Sequence, residues 1–313
     1  MQLVERGHTT LNEPIYTHIP ELESLNVLTG FTDAGVPIEE KHRNPITLRL
    51  LLTHSSGLTY EGMHPKTLAW LKYHGKKLNA KPTVVERFNA PLVFEPGESW
   101  AYGPGIDYAG LLVERISGLT LEEYMKKNLW GPLSITDVTF FPSTRPDLQE
   151  RMAEMSGRGE DGKLGVHDGK MPYVDDKGEE VTGCMGGQGS FTCAKEYIKV
   201  LKGVLDCDDE GEGKVLSKES LEAFFKPQLG KGSRAMLNAV VQDDMVCLSS
   251  TLFSLHGLTD NYKGKQRNGR YPQTRSQRLR SRRLGHVGRR ARRQEGRDDA
   301  LGRLSQSHLV DRP

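Results

Sequence analysis

The sequence predicts a globular, core-forming chain of short helices joined by turn-rich connections, followed by a stretch that does not fold. Three observations predict it. Hydrophobic residues are 36% and charged residues 27% of the 313 positions, enough apolar surface for one large domain or two small ones. Helical patterns with recognisable start and stop residues recur from Thr47 to Pro227. Beyond about Leu252 the character changes: residues 267–299 hold 12 Arg, no Lys and one aromatic residue, too little apolar surface to offset the entropy of ordering them. The expected division is a folded part, 1–250, and an Arg-rich, disordered tail, 251–313.

Taken in order, Met1–Gly7 (MQLVERG) reads as the last turn or two of a helix, with Gly7 in the left-handed position that closes it. A helix so short is not stable alone, so it is either a packed stub or the end of something longer. Residues 8–45 read as loop, with turns in LNEPIYTHIPEL and TDAGVPIEE. Thr47 caps a short apolar helix to about His54. Residues 65–88 read as two helical pieces interrupted by Gly75 and Pro82. From Ile106 the apolar residues Ile106, Ala109, Val113 and Ile116 share one helix face, and Gly118 ends it. Thr120 with Glu123 forms a capping box for the next helix, to about Asn128. A glycine-dense stretch, 183–189, precedes a helix from about Ala194 to Leu205. An acidic loop follows, and Ser217 opens a helix that Pro227 stops.

The net charge of +2 conceals a split. Residues 263–313 carry 16 Lys and Arg against four acids, whereas the preceding 262 residues carry 27 basic and 37 acidic groups. Such asymmetry suggests a nucleic-acid or membrane arm, or sequence foreign to the fold. The tail lacks aromatic interleaving and any known module, so nucleic acid is not an expected partner. No run of 18 apolar residues is present, so a membrane span is not expected, and the N-terminus lacks a signal-peptide pattern. Four cysteines stand at spacings of 9, 14 and 40 with no C-x-x-C. That argues for reduced thiols, a cytoplasmic setting and no zinc; no metal or other cofactor is expected.

Three segments could carry chemistry. In TLRLLLTHSSGLTY, His54, Ser55 and Ser56 suggest a nucleophile pair, but adjacent turn residues point different ways and spacing assigns no base, so an apolar helix ending in a loop is preferred. In PGESWAYGPG, Tyr102 is either an aromatic anchoring a loop or a proton-handling phenol. A phenol titrates near ~10 and needs a cationic partner to act as a base. In GGQGSF, Gly187 and Gly189 mark either a close backbone approach to a ligand or a plain loop; the cluster fits no nucleotide-binding motif.

The ordered segments LLTHSSGL, PGESWAYG, LLVERISGLTLEEYMKKNLWGPLSITDVTF and GGQGSF resemble the serine β-lactamase-like family of class C β-lactamases, penicillin-binding-protein-like esterases and acyltransferases. The similarity is greatest to the fungal transesterases of secondary metabolism that include statin side-chain acyltransferases, and it runs from about Met1 to Val246. It implies an α+β, two-lobed fold, a helical lobe against an antiparallel sheet, with the site between them. It implies a Ser in S-x-x-K that attacks an acyl group, while the Lys and a Tyr move protons. Tyr102 matches that catalytic Tyr. The family's usual Tyr-x-Asn is here Tyr102-Gly103-Pro104, a departure that favours the transesterases over true β-lactamases. Arg87 matches a basic residue that faces an acidic substrate in those members, though from the residues alone it reads as a surface arginine. Gly187 and Gly189 match a stretch bordering the cleft.

Two motifs are absent. No Ser in the 313 residues is followed three positions on by Lys; in the family that motif lies one helix upstream of the segment that opens this chain. The third motif, K-T-G or H-x-G on an edge strand, has only a formal match at His286-Val287-Gly288, inside the Arg-dense run. The chain is therefore expected to be incomplete at both ends, with an Arg-rich tail that reads as out of frame and a sheet short of strands. The expected function is ester or thioester acyl transfer, or hydrolysis, on a small molecule in fungal secondary metabolism. The donor would be a small-molecule ester or a carrier-protein or CoA thioester, and the acceptor a small molecule. The alternative is a catalytically inactive remnant or a binding module.

Overall fold

A computed structural model describes residues 1–78, 81–159, 161–166, 173–206 and 215–242. All lie in the first of two units, Met1–Phe253 and Ser254–Pro313. The expected tail, most of the acidic loop and His286-Val287-Gly288 fall outside the described residues.

The chain opens with helix α1 (Gln2–Glu5), closed as its sequence predicts. The Gly7 N–H donates to the Val4 carbonyl and the His8 N–H to the Leu3 carbonyl, with Gly7 at φ +70°, the paired bonds of a left-handed helix end. A hairpin follows, β1 (Asn26–Phe31) with β2 (Pro37–Lys41), where the sequence reads as loop. A register shift between Leu28 and Gly30 breaks β1's alternation, and β2 is led by proline and largely exposed, so neither strand carries a clean period-two signal.

Helix α2 (Leu48–Leu52) starts where Thr47 caps it, its hydroxyl accepting from the Leu50 N–H. Helices α3 (Pro65–Tyr73) and α4 (Val84–Arg87) are the two expected pieces. Helix α5 (Gly105–Ser117) ends at Gly118. Its deepest residues are Asp107, Tyr108 and Leu112; the face of Ile106, Ala109, Val113 and Ile116 is half-buried. The apolar count identifies a helix, but the interior surrounds it on more than one side. The capping box closes from both directions at α6 (Leu121–Met125), which runs on as a π-helical turn to Trp130.

The remaining elements are β3 (Val138–Thr139), α7 (Pro146–Gln149), β4 (Ser156–Arg158), β5 (Leu164–Val166), β6 (Phe191–Thr192), α8 (Ala194–Leu205), α9 (Lys218–Phe225) and α10 (Lys231–Gln242). β3 pairs with β6 and β4 with β5, each antiparallel. The fold is therefore α+β, and among the described residues its strands form three two-stranded pairs. Helix α10 has no counterpart in the sequence reading; Ser233 anchors it, its hydroxyl meeting the carbonyls of Gly97 (3.2 Å) and Ser99 (2.8 Å).

The main core joins Ile15, Ile19 and Leu22 to Leu48 and Leu51 of α2, Phe88, Leu92, Tyr108 and Leu112. A second cluster lies around Leu121, Trp130, Val138 and Phe140. An apolar cavity of about 290 Å³ opens between α1, α5, α6 and α8, lined by residues such as Leu3, Leu112, Met125 and Val200. Tyr124 lines it, and Tyr102 does not. Among the described residues, no helix is long and apolar enough to cross a membrane.

Candidate functional site

Tyr102 sits on the turn that feeds α5 and is 46% exposed. Its main chain is fixed from the opposite segment: its carbonyl accepts from the Thr59 hydroxyl (3.2 Å) and from the Tyr60 N–H (3.4 Å). Its ring lies 4.8 Å from the His54 ring and 5.4 Å from the Tyr60 ring, centroid to centroid. The phenol is thus held at an open edge rather than buried in a hydrophobic interior.

His54 is the turn residue after α2, at φ +55°. Its Nδ1 accepts from the Gly103 N–H (3.4 Å), which leaves its proton on Nε2. Burial lowers its pKa, so the ring is neutral at pH 7. Ser55 and Ser56 are 2% and 1% exposed, and the Ser55 hydroxyl is engaged with Thr53 (2.8 Å). Both serines are interior, in line with the preference for a helix-ending loop over a nucleophile pair.

Beneath the ring lies a carboxylate that sequence reading overlooked. Asp107 is fully buried. One oxygen accepts from the Tyr60 hydroxyl (2.7 Å), the other from the Gly187 N–H (3.1 Å). Burial raises its pKa to about 6, against the lowering effects of the Tyr60 and Gly187 hydrogen bonds and of Arg87. Burial, and then the Asp107 charge, push Tyr60 far above the usual phenol range, so Tyr60 is a donor here and not a base.

Arg87 is not the surface arginine that the residues alone suggest. It is 2% exposed, and its guanidinium donates to the carbonyls of Lys81 (2.8 Å) and Val174 (2.9 Å). Burial lowers its pKa, opposed by the charges of Glu61, Asp107 and Asp175. It serves as interior counter-charge to these acids. Gly187 and Gly189 belong to one tight turn. A Cβ at Gly187 would stand 2.8 Å from Asp107 Oδ2 and 2.9 Å from the Tyr60 hydroxyl, and one at Gly189 would stand 2.8 Å from the Met185 carbonyl. At Gly187 the missing side chain lets backbone approach the Asp107 carboxylate and the Tyr60 hydroxyl; at Gly189 it lets the turn close against Met185.

Three sequence segments therefore converge: LLTHSSGLTY through His54 and Tyr60, PGESWAYGPGID through Tyr102 and Asp107, and GGQGSF through Gly187. Of the expected residues, Tyr102 and Gly187 come together around the Tyr60–Asp107 pair, Arg87 acts on Asp107 from the interior, and Gly189 shapes the turn. No local signal marks Asp107, because its hydrogen-bond partners Tyr60 and Gly187 lie 47 and 80 residues away in the chain. Among the described residues, no three His, Cys, Asp or Glu side chains are grouped to hold a metal. Burial pushes the Cys184 thiol up to about 12, so it supplies no thiolate at neutral pH.

The beta-lactamase family pattern matches residues 1–241. The chain belongs to that family. Among its relatives, the lovastatin esterase of Penicillium rubens is 37% identical over 245 residues, covering 77% of this chain and 59% of the esterase. The monacolin J acid methylbutanoyltransferase of Aspergillus terreus is 39% identical over 230 residues, covering 73% of this chain and 54% of the transferase. The solved structure of the LovD6 mutant of simvastatin synthase, from Aspergillus terreus, superposes with a TM-score of 0.66 at 40% identity, covering 76% of this chain and 55% of that one. The chain thus spans little more than half the length of the curated relatives it matches.

Asp107 makes stability depend on pH. Its folded pKa of about 6 exceeds the ordinary Asp value of ~3.9, so the folded state binds the extra proton between those values. The stabilisation is complete below about pH 4 and is lost as pH rises through about 6. A gap of about two units corresponds to at most about 3 kcal/mol. Urea midpoints from pH 4 to 7 for the native chain and Asp107→Asn are expected to diverge accordingly, the native chain losing stability relative to the variant as pH rises. Parallel profiles would show that folding leaves the Asp107 pKa at its ordinary value.

Proposed function

We propose that this chain contributes the tyrosine-bearing part of an acyl-transfer site, within a polypeptide that also supplies the nucleophile. The reaction is transesterification, or hydrolysis, of a small-molecule ester or thioester in fungal secondary-metabolite biosynthesis, in a cytoplasmic setting. The observation that carries the reading is Tyr102: a half-exposed phenol, clamped by its backbone and flanked by neutral His54 and by Tyr60. Family membership and relatives named as esterase and methylbutanoyltransferase support it. In this scheme a serine attacks the acyl carbonyl, Tyr102 moves the proton, and the acyl group passes to a small-molecule hydroxyl or to water. The donor is a small ester or a carrier-protein or CoA thioester. Gly187 and Gly189 shape the wall behind Tyr102, and Arg87 balances the charge beneath it.

A second reading, an inactive binding module, is favoured by one observation: no Ser-x-x-K exists in the 313 residues. A burst assay separates the two. With p-nitrophenyl butyrate, the 313-residue chain is expected to release no stoichiometric burst and to gain no acyl mass. The product of a full-length transcript is expected to do both. A full-length product that neither reacts nor contains S-x-x-K would leave the binding module as the function.

A further inference from the structure

We propose that Asp107 is a positioning residue for Tyr102: its carboxylate ties the Gly187 turn to Tyr60, and Tyr60 in turn sets where the Tyr102 ring stands.

The geometry runs in one direction. Asp107 is fully buried on the first turn of α5, five residues beyond Tyr102. Its two oxygens take one donor each, the Tyr60 hydroxyl at 2.7 Å and the Gly187 N–H at 3.1 Å. Tyr60 is held on its other side by Phe88, ring centroids 5.5 Å apart and near-perpendicular. With its hydroxyl and ring both fixed, Tyr60 presents its ring to Tyr102 at 5.4 Å and its N–H to the Tyr102 carbonyl. The glycine turn leaves no slack, because any side chain at Gly187 would press on both Asp107 and the Tyr60 hydroxyl. A carboxylate suits this post because both of its oxygens accept; an amide accepts at one and donates at the other, opposite a donor.

The anion strengthens both bonds, since charge-assisted hydrogen bonds are roughly twice as strong as neutral ones. Protonating Asp107 therefore loosens Tyr60 and, through it, Tyr102. The charged and titratable groups facing Asp107 are Arg87 from α4, Tyr60 from the segment before α3, Tyr173 from the segment before the glycine turn, and Tyr108 on its own helix. Glu61 acts on it through Arg87. The tyrosines, pushed up, stay neutral between pH 5 and 7; His54, 4.8 Å from the Tyr102 ring, has a pKa that burial lowers, so the pH readout is taken in a His54→Asn background.

The role rests on Tyr102 being the proton-handling residue of the proposed site, but the test reads no acyl transfer, so failure of one is distinguishable from failure of the other. The 313-residue His54→Asn chain would carry 13C at the tyrosine ζ carbons and 15N in its backbone, with Tyr102→Phe assigning the Tyr102 resonance. Between pH 4.5 and 8 the Tyr102 resonance and the Gly187 amide are expected to move together, with a midpoint of about 6. In Tyr60→Phe, which keeps the carboxylate, the Gly187 amide should still titrate while Tyr102 falls silent. In Asp107→Asn both should be silent; if that variant does not fold, Tyr60→Phe decides alone. A Tyr102 resonance that stays flat in the His54→Asn chain overturns the proposal. So does one that still titrates in Tyr60→Phe, which would mean that Asp107 acts through its field and not through Tyr60.

Discussion

Replacing Tyr102 with phenylalanine, in a polypeptide that supplies the nucleophile, is expected to lower ester turnover by roughly 10²–10⁴-fold, the usual contribution of a positioned proton-transfer group. That corresponds to about 3–5 kcal/mol of transition-state stabilisation. The substitution isolates the hydroxyl. The clamps on residue 102 come from its own carbonyl, which accepts from Thr59 and Tyr60 and is unchanged in the variant. The ring contacts with His54 and Tyr60 also survive the loss of one oxygen. The expected pattern is therefore a fall in kcat with little change in KM, the signature of an interaction made in the transition state. A variant with native kcat would remove Tyr102 from the chemistry.

The second large effect is on stability. Gly105→Ala is expected to cost at least ~3 kcal/mol, the upper end of overpacking penalties, read as a lowered urea midpoint or as failure to fold. Gly105 is the first residue of α5, and a Cβ there would collide with the Leu51 carbonyl oxygen of α2. The Cβ is fixed rigidly to the backbone and meets main-chain atoms of Leu51, so no rotamer change relieves the contact. Leu51 is fully buried, and α2 is pinned by its Thr47 cap. The clash falls three residues after Tyr102 and two before Asp107, so any adjustment of α5 also shifts the site. A variant within about 1 kcal/mol of the native chain would show that the two helices separate cheaply, and that the close approach is incidental.

Much of the fold was legible where a local interaction decides local structure. Thr47, Thr120 with Glu123, and Ser217 cap helices with their own side chains, and Gly7 and Gly118 end helices within one turn. These signals need no knowledge of the rest of the molecule. The hairpin β1–β2 and helix α10 were not legible. The first hides its period behind a bulge and a leading proline; the second is anchored by Ser233 to carbonyls more than 130 residues away.

The site divides along the same line. Tyr102 was singled out because its neighbours Pro96, Gly97, Gly103, Pro104 and Gly105 announce a stiff turn, and the order of the motifs placed the chain in its family. By itself, then, the sequence determined most helix starts and stops, the family and the stiff turn that carries Tyr102, all properties of contiguous residues. Only the tertiary structure turned Arg87 inward, made Gly187 a backbone contact, and brought Asp107 under Tyr60. Burial is a property of what the whole chain packs against a residue, and no spacing along the chain specifies how much water a carboxylate or a guanidinium will keep.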